Sequence, residues 1–227
     1  MIKINHYGRL GNTMLQDIGA SILAKKHNLK VKNYQNYYDE INLNLHQGEK
    51  TISDNIVQVI DSNVDEILKM ENMNCGFEIC SYFQTSFFVT NFEKEIKTHF
   101  NLNQESKKNK VFVHIRLGDA SSKNPGIKYY EMCLDKLKFD SGYISTDSID
   151  EKMIHKLCEK YNLSLYENTP GNTILFAKNF DNLVLSGGTF SWWIGFLSQA
   201  SNILYPKNYL NWHGDIFVNN NWNGISC

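Results

Sequence analysis

No stretch of the sequence is long and apolar enough to cross a bilayer. Spanning one takes roughly 18–20 apolar residues, and the longest candidate, Phe190–Leu197, has eight and includes a serine and a glycine. The opening Met-Ile-Lys-Ile-Asn lacks the pattern of a secretory signal. A cytoplasmic location is therefore expected, with peripheral contact to a membrane left open. Strong charge is missing too. The formal net charge is −1 and the pI near 6.6, so nothing draws the whole chain to nucleic acid or anionic lipid. Any anionic ligand must be held by a local site. Cysteine is sparse and scattered at Cys75, Cys80, Cys133, Cys158 and Cys227, without zinc-site spacing. Reduced thiols are the simple reading, and no metal site is expected. Arginine is nearly absent: 21 of the 23 basic residues are lysine. Asparagine is abundant, as in Asn219-Asn220-Asn221. Arg9 and Arg116 therefore mark places where lysine would not suffice, because only arginine offers a planar, permanently charged fork for phosphate oxygens. Both lie close to glycines.

What is present supports a substantial core. The 227 residues are 42% hydrophobic and 13% aromatic, enough for one large domain or two small ones. Ile2–Tyr7 alternates like a strand, Gly8–Asn12 interrupts it, and a helical repeat follows over Thr13–His27, an α/β opening. Lys30–Tyr34 reads as a strand, the stretch 36–75 gives only short mixed segments such as Ile56–Ile60 before a helix around Val64–Met70, Glu93–Phe100 reads as a helix, and Cys80–Phe88 is an aromatic-rich run. The polar stretch Asn101–Lys110 reads as a linker between halves at 1–105 and 106–227. Beyond it, strands at Val111–Ile115, Gly142–Ser145, Leu163–Tyr166, Leu183–Ser186 and Ile203–Tyr205 alternate with helices at Tyr129–Leu137, Glu151–Lys160, Thr173–Lys178 and Ser191–Gln199. That alternation predicts parallel sheets covered by helices on both faces. Two Rossmann-like α/β halves facing each other would place a ligand cleft at the strands' carboxyl ends.

Four segments carry chemistry. Gly8-Arg9-Leu10-Gly11-Asn12 joins the first strand to the first helix; its glycines and the helix start suit an anion, and an ordinary tight turn explains it equally. In His114-Ile115-Arg116-Leu117-Gly118-Asp119, alternation puts His114, Arg116 and Gly118 on one side if the strand continues. A pyrophosphate would satisfy Arg116; the alternative is a structural ion pair with Asp119. In Tyr143-Ile144-Ser145-Thr146-Asp147-Ser148, Ser145 and Asp147 fit either a helix cap or a ribose or base edge. Ser186-Gly187-Gly188-Thr189-Phe190-Ser191-Trp192-Trp193 opens a helix with hydroxyls and N–H groups suited to phosphate, while the two tryptophans read as core.

Taken together, these segments resemble the α-1,2-fucosyltransferases of glycosyltransferase family eleven and, more distantly, the wider α-1,2/α-1,6 and protein-O-fucosyltransferase group. Gly8–Gln16 is similar to that family's Gly-Gly-Leu-Gly-Asn-Gln-Met-Phe-Gln, and Tyr82-Phe83-Gln84-Thr85 to its Tyr-Phe-Gln-Ser. His114–Asp119 resembles His-x-Arg-Arg-Gly-Asp, Tyr143–Asp147 a Phe-Ser-Asp-Asp strand end, and Thr189–Trp193 a Ser-Phe-Ser-Trp-Trp run. The resemblance implies a GT-B fold, a GDP-L-fucose donor, a glycan acceptor, inversion and no cofactor or metal. It implies that Arg116 grips the pyrophosphate and that His114 lies near the nucleotide or sugar. Thr189, Phe190 and Ser191 would follow the phosphates, Ser145 or Asp147 would meet the guanosine, and Gly8, Arg9, Gly11 and Asn12 would approach from the other half. Asp119 is the nearest motif carboxylate for a general base, or it only orients Arg116. The sequence departs from the pattern at Leu117, where a second arginine is usual, at Gly187-Gly188, and near Asn172-Thr173. It is also shorter than typical members. Another GDP-sugar, or a binding module without turnover, are the alternatives.

Overall fold

Alternating apolar strands and half-apolar helices build parallel α/β units. A computed structural model describes residues 1–35, 40–100, 107–207, 216–218 and 221–226. The chain divides into two compact units, Met1–Asn101 with His213–Ile216, and Leu102–Trp212 with Phe217–Cys227. The boundary expected after residue 105 lies in 101–106, outside the described residues. The rest of the expected linker, from Lys107, is already strand.

In the first unit, β1 (Ile2–Ile4), α1 (Leu10–His27), β2 (Ile56–Val59), α2 (Val64–Lys69), β3 (Gly76–Ile79), α3 (Ser86–Asn91) and α4 (Glu93–Thr98) follow in order. The sheet runs β1-β3-β2, all parallel. β3 lies just before the aromatic run that dominates the local sequence, and its four residues are too few to show a period. The strand expected at Lys30–Tyr34 is reduced to one bridge, Ile2 to Val31. Side-chain amides stand in for the missing ladder. Asn33 exchanges two hydrogen bonds with the backbone of Ile4, and Gln47 does the same with Val31.

α1 is the axis of this unit. It is buried along most of its length, including Gln16, Asp17 and Ser21, as expected of a helix enclosed on several sides. Lys25, Lys26 and His27 sit in its last turn, where positive charge complements the helix dipole. It ends at Asn28 in the left-handed conformation, with the cap N–H on Ala24 O; asparagine tolerates that region better than other side-chain-bearing residues. Gly19 faces the ring of Phe83 so closely that a β-carbon would lie 2.5 Å from Cδ1.

The second unit contains β4 (Lys107–Ile115), a 3-10 turn at Gly118–Lys123, α5 (Ile127–Lys136), β5 (Ser141–Thr146), α6 (Lys152–Tyr161), β6 (Leu163–Leu165), α7 (Pro170–Ala177), β7 (Phe180–Val184), α8 (Thr189–Phe196), β8 (Asn202–Lys207) and β9 (Trp222–Ser226). The sheet order is β6-β5-β4-β7-β8-β9, parallel throughout. Counted from β4 this is 3-2-1-4-5-6, the dinucleotide-fold order. β9 was not expected from the sequence, and β7 stops at Val184 rather than Ser186.

Both faces of the sheet are covered. Val111, Val113, Ile115 and Leu117 enter a core with Tyr129, Tyr130 and Leu134 of α5 and Ile154 and Leu157 of α6. Phe112 instead meets Phe176 and Phe180, in a cluster where Tyr166 stacks on Phe176 at 4.0 Å. This alternation puts His114 on the Phe112 side, in register with Ser145 of β5. α6 ends, like α1, on a left-handed asparagine, Asn162.

Gly19→Ala forces its new methyl into the Phe83 ring and should cost about 1–3 kcal/mol, as overpacking does. Denaturant unfolding against the wild type measures it, and an unchanged midpoint contradicts the packing described.

Candidate functional site

In a parallel sheet of this order, neighbouring strands whose connections leave in opposite directions open a crevice at their carboxyl ends. Here those strands are β4 and β7, paired through Val113 and Val184. His114 and Arg116 come from the end of β4; Ser186 and the start of α8 follow β7.

His114 is buried at 6% exposure. Its Nδ1 lies 2.6 Å from Ser191 Oγ and 3.1 Å from Ser186 Oγ, and the two hydroxyls are 2.9 Å apart. Ser191 Oγ also accepts from the Ser186 N–H at 3.1 Å. Phe190 tilts against the imidazole with ring centroids 4.9 Å apart. Burial, reinforced by the nearby Arg116 charge, lowers the His114 pKa to about 3. The ring is therefore neutral near pH 7 and ties the end of β4 to α8 without adding charge.

Arg116 is held by two carboxylates. One Nη donates to Asp119, and Nε lies 3.2 Å from Asp147 Oδ2, with the arginine side chain 25% exposed. Nη1 has no acceptor among the described residues. Asp147 Oδ1 accepts the Leu117 N–H at 2.8 Å, and Ser148 Oγ accepts that of Gly118 at 3.2 Å. Asn124 donates to the Arg116 carbonyl at 2.8 Å. Gly118 has φ +29, and a β-carbon there would lie 2.6 Å from Asp147 Oδ2. The loop can close on Asp147 only with glycine at this position. Leu117 is 8% exposed in the core. The position where the resembled family carries a second arginine is therefore filled here by a core side chain.

Gly188 caps α8, and Trp192 is the residue whose N–H returns to Gly188 O. The turn before it, Thr189 to Ser191, thus carries N–H groups that helical bonding does not use. Trp192 and Trp193 are both buried, as read from the sequence.

The remaining sequence-selected residues lie in the first unit. Gly8 has φ +88, and its missing side chain leaves room for the Asn12 amide. Arg9 is exposed at the α1 N-cap, Gly11 is buried, and Asn12 and Thr13 donate N–H bonds to Arg9 O. Asn12 Oδ1 accepts from Gln84 at 3.1 Å. Gln84 follows Phe83, a buried aromatic at φ +55, a conformation costing such a residue about 1–3 kcal/mol. Burial, with Asp61, Cys80 and Tyr82 nearby, pushes the Tyr7 hydroxyl up to about 12. Two features escaped the sequence reading. The sequence offers Ser186 only as one of the hydroxyls suited to phosphate, and its bond to His114 is not legible there. The pairing of His6 with Asp17, at 2.6 Å, shows in the sequence only as a polar residue interrupting an apolar helix.

Two parallel α/β units, the second with a nucleotide-binding strand order, define a GT-B-like, Rossmann-type fold. Among solved structures, a mutant of Arabidopsis thaliana FUT1 in complex with GDP superposes with a TM-score of 0.52 at 11% identity, over 92% of this chain and 71% of that one. At that identity the likeness is one of fold. No family model matches the sequence, and no curated protein does.

His114 gives the unit a specific acid sensitivity. Its native pKa of about 3 lies below the ordinary value near 6.5. Between those values the unfolded chain binds a proton that the native chain refuses. The stability from the neutral ring is complete above about pH 6.5 and is lost as pH falls toward 3, on the order of a few kcal/mol. Melting temperature should decline from pH 7 to pH 4, and His114→Asn should flatten that decline. An identical slope in the variant would remove the assignment.

Proposed function

We propose that the chain is a glycosyltransferase that moves L-fucose from GDP-L-fucose to a glycan hydroxyl, with inversion and an α-1,2 linkage. The observation that carries this reading is the placement of Arg116 just past the end of β4, two residues after His114, which fastens that strand to Ser191 at the start of α8. Fixed positive charge and helix-start N–H dipoles after neighbouring strands would suit a diphosphate, and suit it more as GDP leaves and its charge grows. The fold shared with an FUT1 structure in complex with GDP supports a guanosine-diphosphate ligand. In this reading the second unit binds the donor, and Gly8, Arg9, Gly11 and Asn12 of the first unit are further candidates for contact with it. No metal is required, so activity should survive chelation.

The chemistry is a direct displacement. The acceptor oxygen attacks the anomeric carbon while the bond to the β-phosphate oxygen breaks, and its electron pair stays on GDP. Arg116 and the Thr189–Ser191 turn stabilise that departing charge. Asp147 is the residue that fixes Arg116, because it also holds the Leu117 N–H. Asp119 is the pairing that gives way. Its side chain is 56% exposed, and partly exposed pairs of this kind contribute only about 0–1 kcal/mol.

GDP and GDP-fucose should raise the melting temperature, with UDP-sugars giving no shift; no shift with any guanosine ligand would end this reading. Fucose transfer across an acceptor panel tests turnover, and binding without transfer would instead indicate a non-catalytic module. Arg116→Lys keeps the charge but loses the fork, and kcat should fall by about tens- to hundreds-fold, since one positioned charge contributes roughly 2–4 kcal/mol at the transition state. Asp119→Asn removes a carboxylate that competes with phosphate and should tighten GDP binding by about two- to fivefold. Weaker binding would show that Asp119 positions Arg116 rather than blocking it.

A further inference from the structure

The three parallel strands of the first unit end together, and a distinct chemical group follows each of them. The register that pairs Ile4 with Ile79, carried onward past both strands, brings Tyr7 beside Tyr82. Their ring centroids lie 4.4 Å apart with the planes at 89°. Asp61 follows β2, and its Oδ1 accepts the Ser81 hydroxyl at 2.7 Å and the Tyr82 N–H at 2.8 Å. Asp61 is exposed and both tyrosines are partly exposed. No described residue donates to Asp61 Oδ2. Ligands of parallel α/β sheets gather at such carboxyl ends.

The loop that presents Tyr82 is held from several sides. Phe83 stands at φ +55, a strained conformation that persists only where neighbours enforce it and that collects at ligand sites. Ser81 Oγ accepts the Phe83 N–H at 3.0 Å, Gln16 donates to the Ser81 carbonyl at 3.4 Å, and Gln84 donates to Asn12 at 3.1 Å. This turn sends Phe83 against Gly19 in the core and keeps Tyr82 at the surface. A partly exposed pair of aromatic rings offers a flat apolar area, and an ionised carboxylate oxygen only accepts. Together they select a molecule with an apolar C–H face and hydroxyl donors at its rim, which describes a neutral pyranose. Asp61 repels phosphate and other anions. An alkylammonium cation needs a ring face left open to it; at 4.4 Å the two rings fill each other's space and form a platform, not a cage.

We propose that Tyr7, Tyr82 and Asp61 form a saccharide-binding site, with a neutral pyranose stacked on the tyrosine pair and one of its hydroxyls donating to Asp61 Oδ2. Every group of the site belongs to the first unit. Occupancy needs neither GDP nor transfer, so the proposal does not rest on the donor reading.

Saturation-transfer NMR on the full chain tests it, with the methyl β-glycosides of glucose, galactose and mannose as probes at about millimolar concentration, the affinity range of a single stacked ring. At least one glycoside should receive saturation, strongest on the C–H protons of one ring face, with GDP present or absent. Tyr82→Leu keeps apolar bulk without the flat ring and should weaken binding about five- to tenfold, while Tyr82→Phe should bind as the wild type does. Asp61→Asn keeps an oxygen for Ser81 and Tyr82 but sets an amide N–H in place of Oδ2, and should weaken binding by about three- to tenfold. Absence of saturation on all three glycosides in the wild type overturns the proposal, as does unchanged binding in Tyr82→Leu. Saturation of choline in place of the glycosides overturns it in favour of a cation site. Should Tyr82→Leu fail to fold, unchanged binding in Asp61→Asn overturns it instead. A chain that binds a glycoside and ignores GDP sinks the donor reading and leaves this site standing; one that binds GDP and no glycoside does the reverse.

Discussion

The second unit is organised around one requirement: a guanidinium must stand at the end of a buried parallel strand and stay pointed in one direction. Asp147 meets most of it. One of its oxygens takes Arg116 Nε and the other takes the Leu117 N–H, so a single carboxylate fixes both the side chain and the backbone that launches it. The absent β-carbon of Gly118, the Asn124 bond to the Arg116 carbonyl and the anchoring of Leu117 in the core serve the same end. Arginine in such a frame loses little further freedom when an anion arrives. A lysine ammonium, with its flexible stem, could not be held in this way.

His114 solves a different problem. A second cation beside Arg116 would be costly in a buried setting, so the strand places a neutral imidazole there and uses it as a hydrogen-bonding key to Ser186 and Ser191. Those hydroxyls belong to a segment more than seventy residues away in the chain. The α8 start is thus registered against β4 directly, rather than through the intervening sheet. Several motif residues serve to hold their neighbours in place. Ser191 and Asp147, both chosen from the sequence as ligand contacts, make much of their hydrogen bonding within the protein.

Where the sequence spoke clearly, one type of element was strongly periodic. The β4 run Val111–Ile115, helices α5 and α6 and the start of α1 all follow from spacing. The sheet order and the joining of His114 to Ser191 do not, because strand neighbours are chosen by tertiary packing that no local pattern records. β3 and β9 are too short to show alternation. Lys30–Tyr34 has strand-like composition, yet amide side chains from Asn33 and Gln47 complete its bonding instead of a continuous ladder. Asp17 carried a faint signal, a charge inside an apolar helix, that becomes meaningful only beside His6.

The asparagine caps of α1 and α6 bear on how such a chain should be read. At Asn28, Asn72, Asn109 and Asn162 this protein uses asparagine in the left-handed conformation, which elsewhere commonly falls to glycine. Composition bias has shifted a routine bending duty from one residue type to another. The glycines report something else: at 19 that an aromatic ring lies against the helix, and at 118 that a carboxylate lies against the loop.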